Sequence, residues 1–214
     1  MSWQDWKTHN LETQFNPRTC HLQGHFDIEY GVHPLMRFDY HPSASAAPVI
    51  INIHGGYWRA LDKSAMHHHM ADLSRSGFSI ANLNYPLCPE ISLTDIVKSL
   101  ERAIDKLFEL VTRDIIDPKF ILFGHSAGAH LAAHLSHHPR LQGRLVGLVA
   151  LTGIYETEVV RHIAVNDDIR MTPQEAERWC VITNLPIVGP KCYIAVGGDE
   201  PSGWIDQSWQ LADA

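Results

Sequence analysis

The chain has 214 residues, 45% of them hydrophobic, and a formal net charge of −7. That length suits one domain spanning 1–214 with a globular core. The acidic balance argues against nucleic acid or an anionic membrane surface as partner, and no apolar run approaches membrane-spanning length.

Met1-Ser2-Trp3-Gln4-Asp5-Trp6 lacks the basic and apolar regions of a signal peptide. Cys20, Cys88, Cys180 and Cys192 lack C-x-x-C spacing, so the expectation is reduced thiols in a cytoplasmic protein. Residues 1–24 are polar and aromatic without a period and read as a surface segment. Phe26, Ile28 and Tyr30 alternate with polar residues, as do Met36, Phe38 and Tyr40, which predicts an antiparallel hairpin at a sheet edge. Val49 to Ile53 reads as a strand buried on both faces, and Asp62 to Ser76 as a helix capped by Asp62 and stopped by Gly77. Phe78 to Leu83 is the next strand. A long helix follows Ser92, which has capping-box spacing to Asp95, and its stripe of Ile96, Leu100, Ala103, Ile104, Leu107 and Val111 recurs at i, i+3/i+4.

Lys119 to Phe123 is a further buried strand, followed by Gly124-His125-Ser126-Ala127-Gly128 and an apolar helix. Leu145 to Leu151 and Lys191 to Val196 complete the strands. The stretch 153–190 between them is too long for a simple crossover and reads as an insertion over the site, with a helix starting at Pro173. Strands and helices alternating this way predict an α/β chain with a mostly parallel, doubly wound sheet.

Two stretches carry chemistry. G-x-S-x-G between a buried strand and a helix is a nucleophile elbow: the turn lifts the Ser126 hydroxyl above the sheet, and glycine at both flanks leaves room for it. His54-Gly55-Gly56-Tyr57-Trp58 after another central strand suits an oxyanion hole, where main-chain N–H groups approach a substrate carbonyl. The amides of Gly56 and Ala127 are the expected donors, with Tyr57 as a third. The Tyr57 and Trp58 rings either line an aryl pocket or belong to the core.

The elbow GHSAGAHLAA, the turn HGGYW and Asn84-Tyr85-Pro86-Leu87-Cys88-Pro89 together resemble the kynurenine formamidase (arylformamidase) branch of the α/β-hydrolase fold. Gly153-Ile154-Tyr155 and Val196-Gly197-Gly198-Asp199-Glu200, followed by Gln207-Ser208, are similar to the same family, and the likeness runs from about Phe15-Asn16-Pro17-Arg18 onward. The resemblance implies a cofactor-free, metal-free serine hydrolase that cleaves N-formyl-kynurenine to kynurenine and formate in tryptophan breakdown. It also places the acid of the triad just past the last strand, at Asp199, with Glu200 as its substitute. The partner implied is a small-molecule substrate.

The base is the exception. In this fold the order is Ser, then Asp or Glu, then His, and no histidine follows Asp199. The expectation is therefore a chain lacking the last strand, the last helix and the catalytic histidine, with its last strand left as an exposed edge along which copies associate, for instance as a homodimer. Of the histidines present, His54 and His125 flank the site and are expected to fix loop shape. His67, His68 and His69 diverge on a helix and cannot converge. His130 and His134 share a helical face, as a metal pair would, and His162 in the insertion is the best substitute base. The alternatives are a carboxylesterase of small acyl esters and a catalytically dead binding protein.

Overall fold

A computed structural model describes residues 23–184 and 189–213. Most of the surface segment read over 1–24, Cys20 included, lies outside the described residues, as does part of the insertion near its end. Among the described residues seven strands form one sheet in the order β1-β2-β4-β3-β5-β6-β7. They are β1 (His25–Glu29), β2 (Arg37–His41), β3 (Val49–Ile53), β4 (Ser79–Leu83), β5 (Phe120–His125), β6 (Leu145–Leu151) and β7 (Lys191–Ala195). The first two are antiparallel, as the alternating pattern predicts, and the pairings from β4 through β7 are parallel. Among the described residues β7 pairs only with β6, and its Tyr193 is 61% exposed.

The helices are α1 (His67–Arg75), α2 (Leu93–Val111), α3 (Ala127–Leu135), α4 (Asn166–Ile169), α5 (Pro173–Arg178), α6 (Val181–Asn184) and α7 (Ser202–Asp213). The helix expected over Asp62 to Ser76 is split. A 3-10 turn, Lys63–Met66, precedes α1, and the Asp62 side chain caps it by accepting from the Ser64 amide at 2.7 Å. Gly77 ends the segment at φ +94°. Ser92 caps α2 by accepting the Asp95 amide at 3.1 Å, but the Asp95 carboxylate takes the Ser92 hydroxyl instead of completing a reciprocal box. The stripe along α2 is buried as its period requires, each large aliphatic contributing roughly 1.5–3 kcal/mol.

A polar network inside this core fixes the ground on which the site stands. Asp39 of β2 is fully buried. Burial would push its carboxyl up, but hydrogen bonds from His67, from Lys63 and from the Asp27 amide hold it low. Asn82 donates to the Lys63 carbonyl at 2.8 Å, and Asn52 donates to Asn82 at 2.6 Å. The two asparagines interrupt otherwise apolar central strands because they pin the segment that follows the glycine turn. Buried polar atoms hold their place only when so paired.

Candidate active site

Register brings the two motifs together. Ile53, the last residue of β3, pairs with Gly124 of β5, so both chains leave the sheet at the same edge. The Ser126 amide then donates to the Leu151 carbonyl of β6 at 2.8 Å, and Thr152 donates to Ala195 of β7 at 2.7 Å. The loop after β7 therefore leaves at that edge too, where open α/β sheets bind ligands.

Ser126 sits at φ 55°, ψ −123°, a conformation that costs an L-residue on the order of 1–3 kcal/mol. Its flanks admit only glycine. A Cβ on Gly124 would lie 2.3 Å from the Gly128 carbonyl oxygen, and one on Gly128 would lie 2.1 Å from that of Ile53. The β3 turn presses on the same spot, since a Cβ on Gly55 would meet the His125 carbonyl at 2.8 Å and the Ser126 Cβ at 3.2 Å. Gly56, at φ +107°, opens a left-handed run through Tyr57 (φ 51°) and Trp58 (φ 57°), which the Arg59 and Ala60 amides close by donating to the Gly56 carbonyl. The turn amides of Gly56 and Tyr57 and the Ala127 amide thus belong to one junction around Ser126.

His54 shapes that junction. It is fully buried, stacks on Tyr85 at 4.2 Å, and meets the Gly55 carbonyl through Nδ1 (2.8 Å) and Asn84 through Nε2 (3.1 Å). Burial pulls its pKa down, against the two hydrogen bonds that its ring nitrogens make to oxygens, Nδ1 to the Gly55 carbonyl and Nε2 to Asn84 Oδ1. The Tyr85 hydroxyl donates to the His54 carbonyl at 2.8 Å. Trp58 takes the core alternative, fully buried with its ring edge-on to His130 at 5.0 Å. Tyr57 is half-buried against Trp204.

Two neighbouring acids follow β7, and the structure separates them. Asp199 is exposed, whereas the Glu200 amide folds back onto the Gly197 carbonyl at 3.2 Å. Glu200 lies close enough for its charge to act on two site residues. Tyr57 is raised by burial and then by Glu200; His125 is lowered by burial, with Glu200 working against that fall. Asp199 is the acid expected from the sequence, and Glu200, its expected substitute, is the neighbour whose charge reaches Tyr57 and His125.

The remaining histidines are drawn elsewhere. His162 is an exposed residue paired with Glu158 at 3.0 Å. His125 lines a cavity of about 400 Å³ with His69, Met66, Leu73, Phe123 and Leu151. Among the described residues no histidine ring is hydrogen-bonded to the Ser126 hydroxyl, and no group of three or more His, Cys, Asp or Glu is placed to hold a metal. His130 and His134 do share a face, but both donate from Nε2 to one carbonyl, Trp179, at 2.8 and 3.0 Å. They tie Trp179, just past the end of α5, to α3. Gln207, quoted above only for its likeness, is a second tie: its buried Oε1 accepts from the Tyr155 and Glu156 amides at 2.7 and 2.8 Å and docks α7 onto the loop after β6.

The histidine clamp predicts acid sensitivity. Burial lowers His134 to about 4, and burial together with the neighbouring His134 lowers His130 well below its ordinary value. The unfolded chain takes up these protons near pH 6.5 and the folded one only much lower. Stability is therefore fully present above about pH 6.5 and lost as pH falls toward 4. His134→Gln, which keeps a donor for Trp179 but does not titrate, is expected to flatten the drop in melting temperature between pH 7 and pH 5. An unchanged drop would remove His134 from the acid response.

This sheet order, the strand–turn–helix at Ser126 and the glycine turn beside it define a protein of the α/β-hydrolase fold. The BD-FAE family profile matches residues 39–159, more than half of the chain, and the chain belongs to that family. It is 28% identical over 180 residues to a kynurenine formamidase from Danio rerio, covering 79% of this chain and 60% of that protein. It is 29% identical over 119 residues to one from Drosophila melanogaster, covering 53% of this chain and 39% of that one. The chain thus spans about 40 to 60% of the length of these relatives. The crystal structure of esterase B from Lactobacillus rhamnosis superposes with a TM-score of 0.71 at 17% identity, over 98% of this chain and 77% of that one. The resemblance read from the motifs and the comparisons agree on a kynurenine formamidase-like α/β-hydrolase.

Proposed function

We propose that this chain carries the nucleophile and oxyanion side of a serine hydrolase acting on aryl formamides, with N-formyl-kynurenine as the substrate class. The observation that carries this is Ser126, held in a strained turn between two glycines that nothing larger can replace and touching a second glycine turn. No packing need explains both features at once. Ser126 Oγ attacks the formyl carbon, and the amides of Gly56, Tyr57 and Ala127 receive the developing oxyanion. A base takes the Ser126 hydroxyl proton as the O–C bond forms, and collapse breaks the C–N bond and passes that proton to the departing arylamine. Water then releases formate from the formyl-serine. Glu200 is the acid that orients the base, in preference to Asp199. No described histidine is assigned as that base. The relatives named kynurenine formamidase favour a formamide over the small acyl esters of the carboxylesterase alternative. The unpaired Cys88, Cys180 and Cys192 support a cytoplasmic setting.

The test supplies the base from solution. A fluorophosphonate probe is expected to label Ser126 faster when imidazole is added, by about 10²-fold, the lower range of general-base catalysis. Ser126→Ala should not label under either condition. Labelling of the Ala variant, or none of the wild type with imidazole present, would overturn the assignment. Parallel assays with aryl formamides and short p-nitrophenyl esters separate the two substrate classes.

A further inference from the structure

One peptide plane of the glycine turn, that between Gly55 and Gly56, decides where the Gly56 amide points. Neither glycine has a Cβ to hinder rotation of that plane, and Gly56 stands at φ +107°. The bond is planar and trans, so the Gly56 N–H points opposite to the Gly55 C=O. Whatever holds that carbonyl therefore aims that amide. His54 holds it, with Nδ1 2.8 Å from the oxygen. A carbonyl only accepts, so Nδ1 carries the proton. The imidazole is itself held twice. Its Nε2 meets Asn84 Oδ1 at 3.1 Å, and the ring lies flat on Tyr85, with centroids 4.2 Å apart and planes 6° apart. The Tyr85 hydroxyl donates to the His54 carbonyl at 2.8 Å, which fixes the preceding plane in the same way, and lies 3.4 Å from the Gly55 oxygen. Both residues are fully buried. The two carbonyls are thus drawn toward these buried rings, and the N–H groups of Gly55 and Gly56 face away from them.

We propose that Tyr85, acting through His54, is a positioning residue for the reaction: the stacked pair grips the glycine turn by its carbonyls and keeps the Gly56 amide aimed outward to receive the oxyanion. A Cβ built on Gly55 would meet the Ser126 Cβ at 3.2 Å, so the plane that is gripped begins against the serine. A donor fixed beforehand costs no reorganisation when charge develops, whereas one in a rotating glycine peptide spends part of its time turned away. Neither ring touches the substrate in this scheme, and neither moves a proton. The inference rests on the hydrolase reading, which gives the Gly56 amide to the oxyanion, and adds what holds that amide in place before substrate arrives.

His54 and Tyr85 are 31 positions apart, and sheet register unites them. Ile53 pairs with Leu83 in parallel, so the chain beyond β3 and the chain beyond β4 leave the sheet side by side. Asn84 is fixed in turn from the hairpin of β1 and β2: its amide donates to the Arg37 carbonyl at 3.0 Å, and its carbonyl accepts the Tyr30 hydroxyl at 2.6 Å.

A fluorophosphonate and its thiophosphonate counterpart, with sulfur in place of the P=O oxygen, read the amide directly. In both, Ser126 Oγ bonds to phosphorus, fluoride leaves and added imidazole takes the serine proton. Charge gathers on oxygen in one and on sulfur, a weaker acceptor, in the other. Each labelling rate is divided by that of N-acetylserinamide under the same conditions, which removes the intrinsic difference between the probes. The wild type is expected to favour the oxygen probe by at least about 10-fold, less than the 10²–10³ of a whole oxyanion donor because sulfur still accepts weakly. Tyr85→Phe, which keeps the stack but not the hydroxyl, should reduce that preference several-fold. His54→Leu, which removes the donor to Gly55, should abolish it, and His54→Asn, with Nδ2 in place of Nδ1, should restore it to within about 2-fold. A merely structural role slows both probes alike and leaves their ratio unchanged. Tyr85→Phe carries the test if His54→Leu does not fold. A ratio unchanged in these two variants, or lost equally in His54→Asn and His54→Leu, would overturn the proposal and leave the hydrolase reading standing. A wild type that labels without preference would sink the proposal together with the assignment of the oxyanion amides. No labelling of Ser126 at all would end the hydrolase reading and this inference with it.

Discussion

Gly128→Ala is expected to destabilise the fold by about 3 kcal/mol or more, the upper range for forcing atoms into a packed core. For a chain of this size that lowers the melting temperature by roughly 6–12 °C. The new Cβ would stand 2.1 Å from the Ile53 carbonyl oxygen and 2.7 Å from that of His54. Both are main-chain atoms of a central strand and the turn after it, so neither can swing aside as a side chain would. Relief requires α3 to lift from β3, which pulls Ser126 away from the glycine turn. Gly203→Ala is the control. It lies in α7 with nothing within 4 Å of a built Cβ, and should gain up to about 1 kcal/mol from helix propensity. A Gly128→Ala protein melting within a degree of wild type would show that the turn at Ser126 is loosely packed, and would undercut the steric argument for the motif.

Ser126→Gly is expected to abolish serine-directed labelling and at the same time raise stability. The strain at φ 55°, ψ −123° amounts to about 1–3 kcal/mol, and glycine releases it. Its greater freedom in the unfolded chain takes back roughly 0.5–1 kcal/mol, leaving a net gain near 1 kcal/mol, or about 2–4 °C. Ser126→Ala separates the two effects. It removes the hydroxyl but keeps the Cβ, so labelling disappears with the melting temperature close to wild type. A stabilised catalytic-site variant is the signature of a residue whose conformation serves chemistry at the expense of the fold. If Ser126→Gly melted below Ser126→Ala, the strain would be absent in solution, and the case for Ser126 as an activated nucleophile would lose its main support.

Much of this architecture was legible before any coordinates. The hairpin followed from alternation in Phe26–Tyr30 and Met36–Tyr40, the parallel strands from continuous apolar runs, and α2 from its stripe and the Ser92 cap. The strand–turn–helix at Ser126 and the glycine turn were legible for a related reason: each is a local steric demand, met by glycine at fixed spacing, and local demands are written in adjacent residues. What the sequence left undecided depends on how distant segments meet. Asp39 and Asn82 break the apolar pattern of their strands, and only the approach of Lys63 and His67 explains why they are tolerated. His130 and His134 have the spacing of a metal pair; the Trp179 carbonyl, 45 residues beyond His134, makes them a clamp. Asp199 and Glu200 are adjacent acids that no period distinguishes, and the fold brings the charge of Glu200 within reach of Tyr57 and His125. Tertiary contact decides such cases because a polar side chain takes its role from the partner that desolvates or pairs with it, and that partner is seldom a neighbour in sequence.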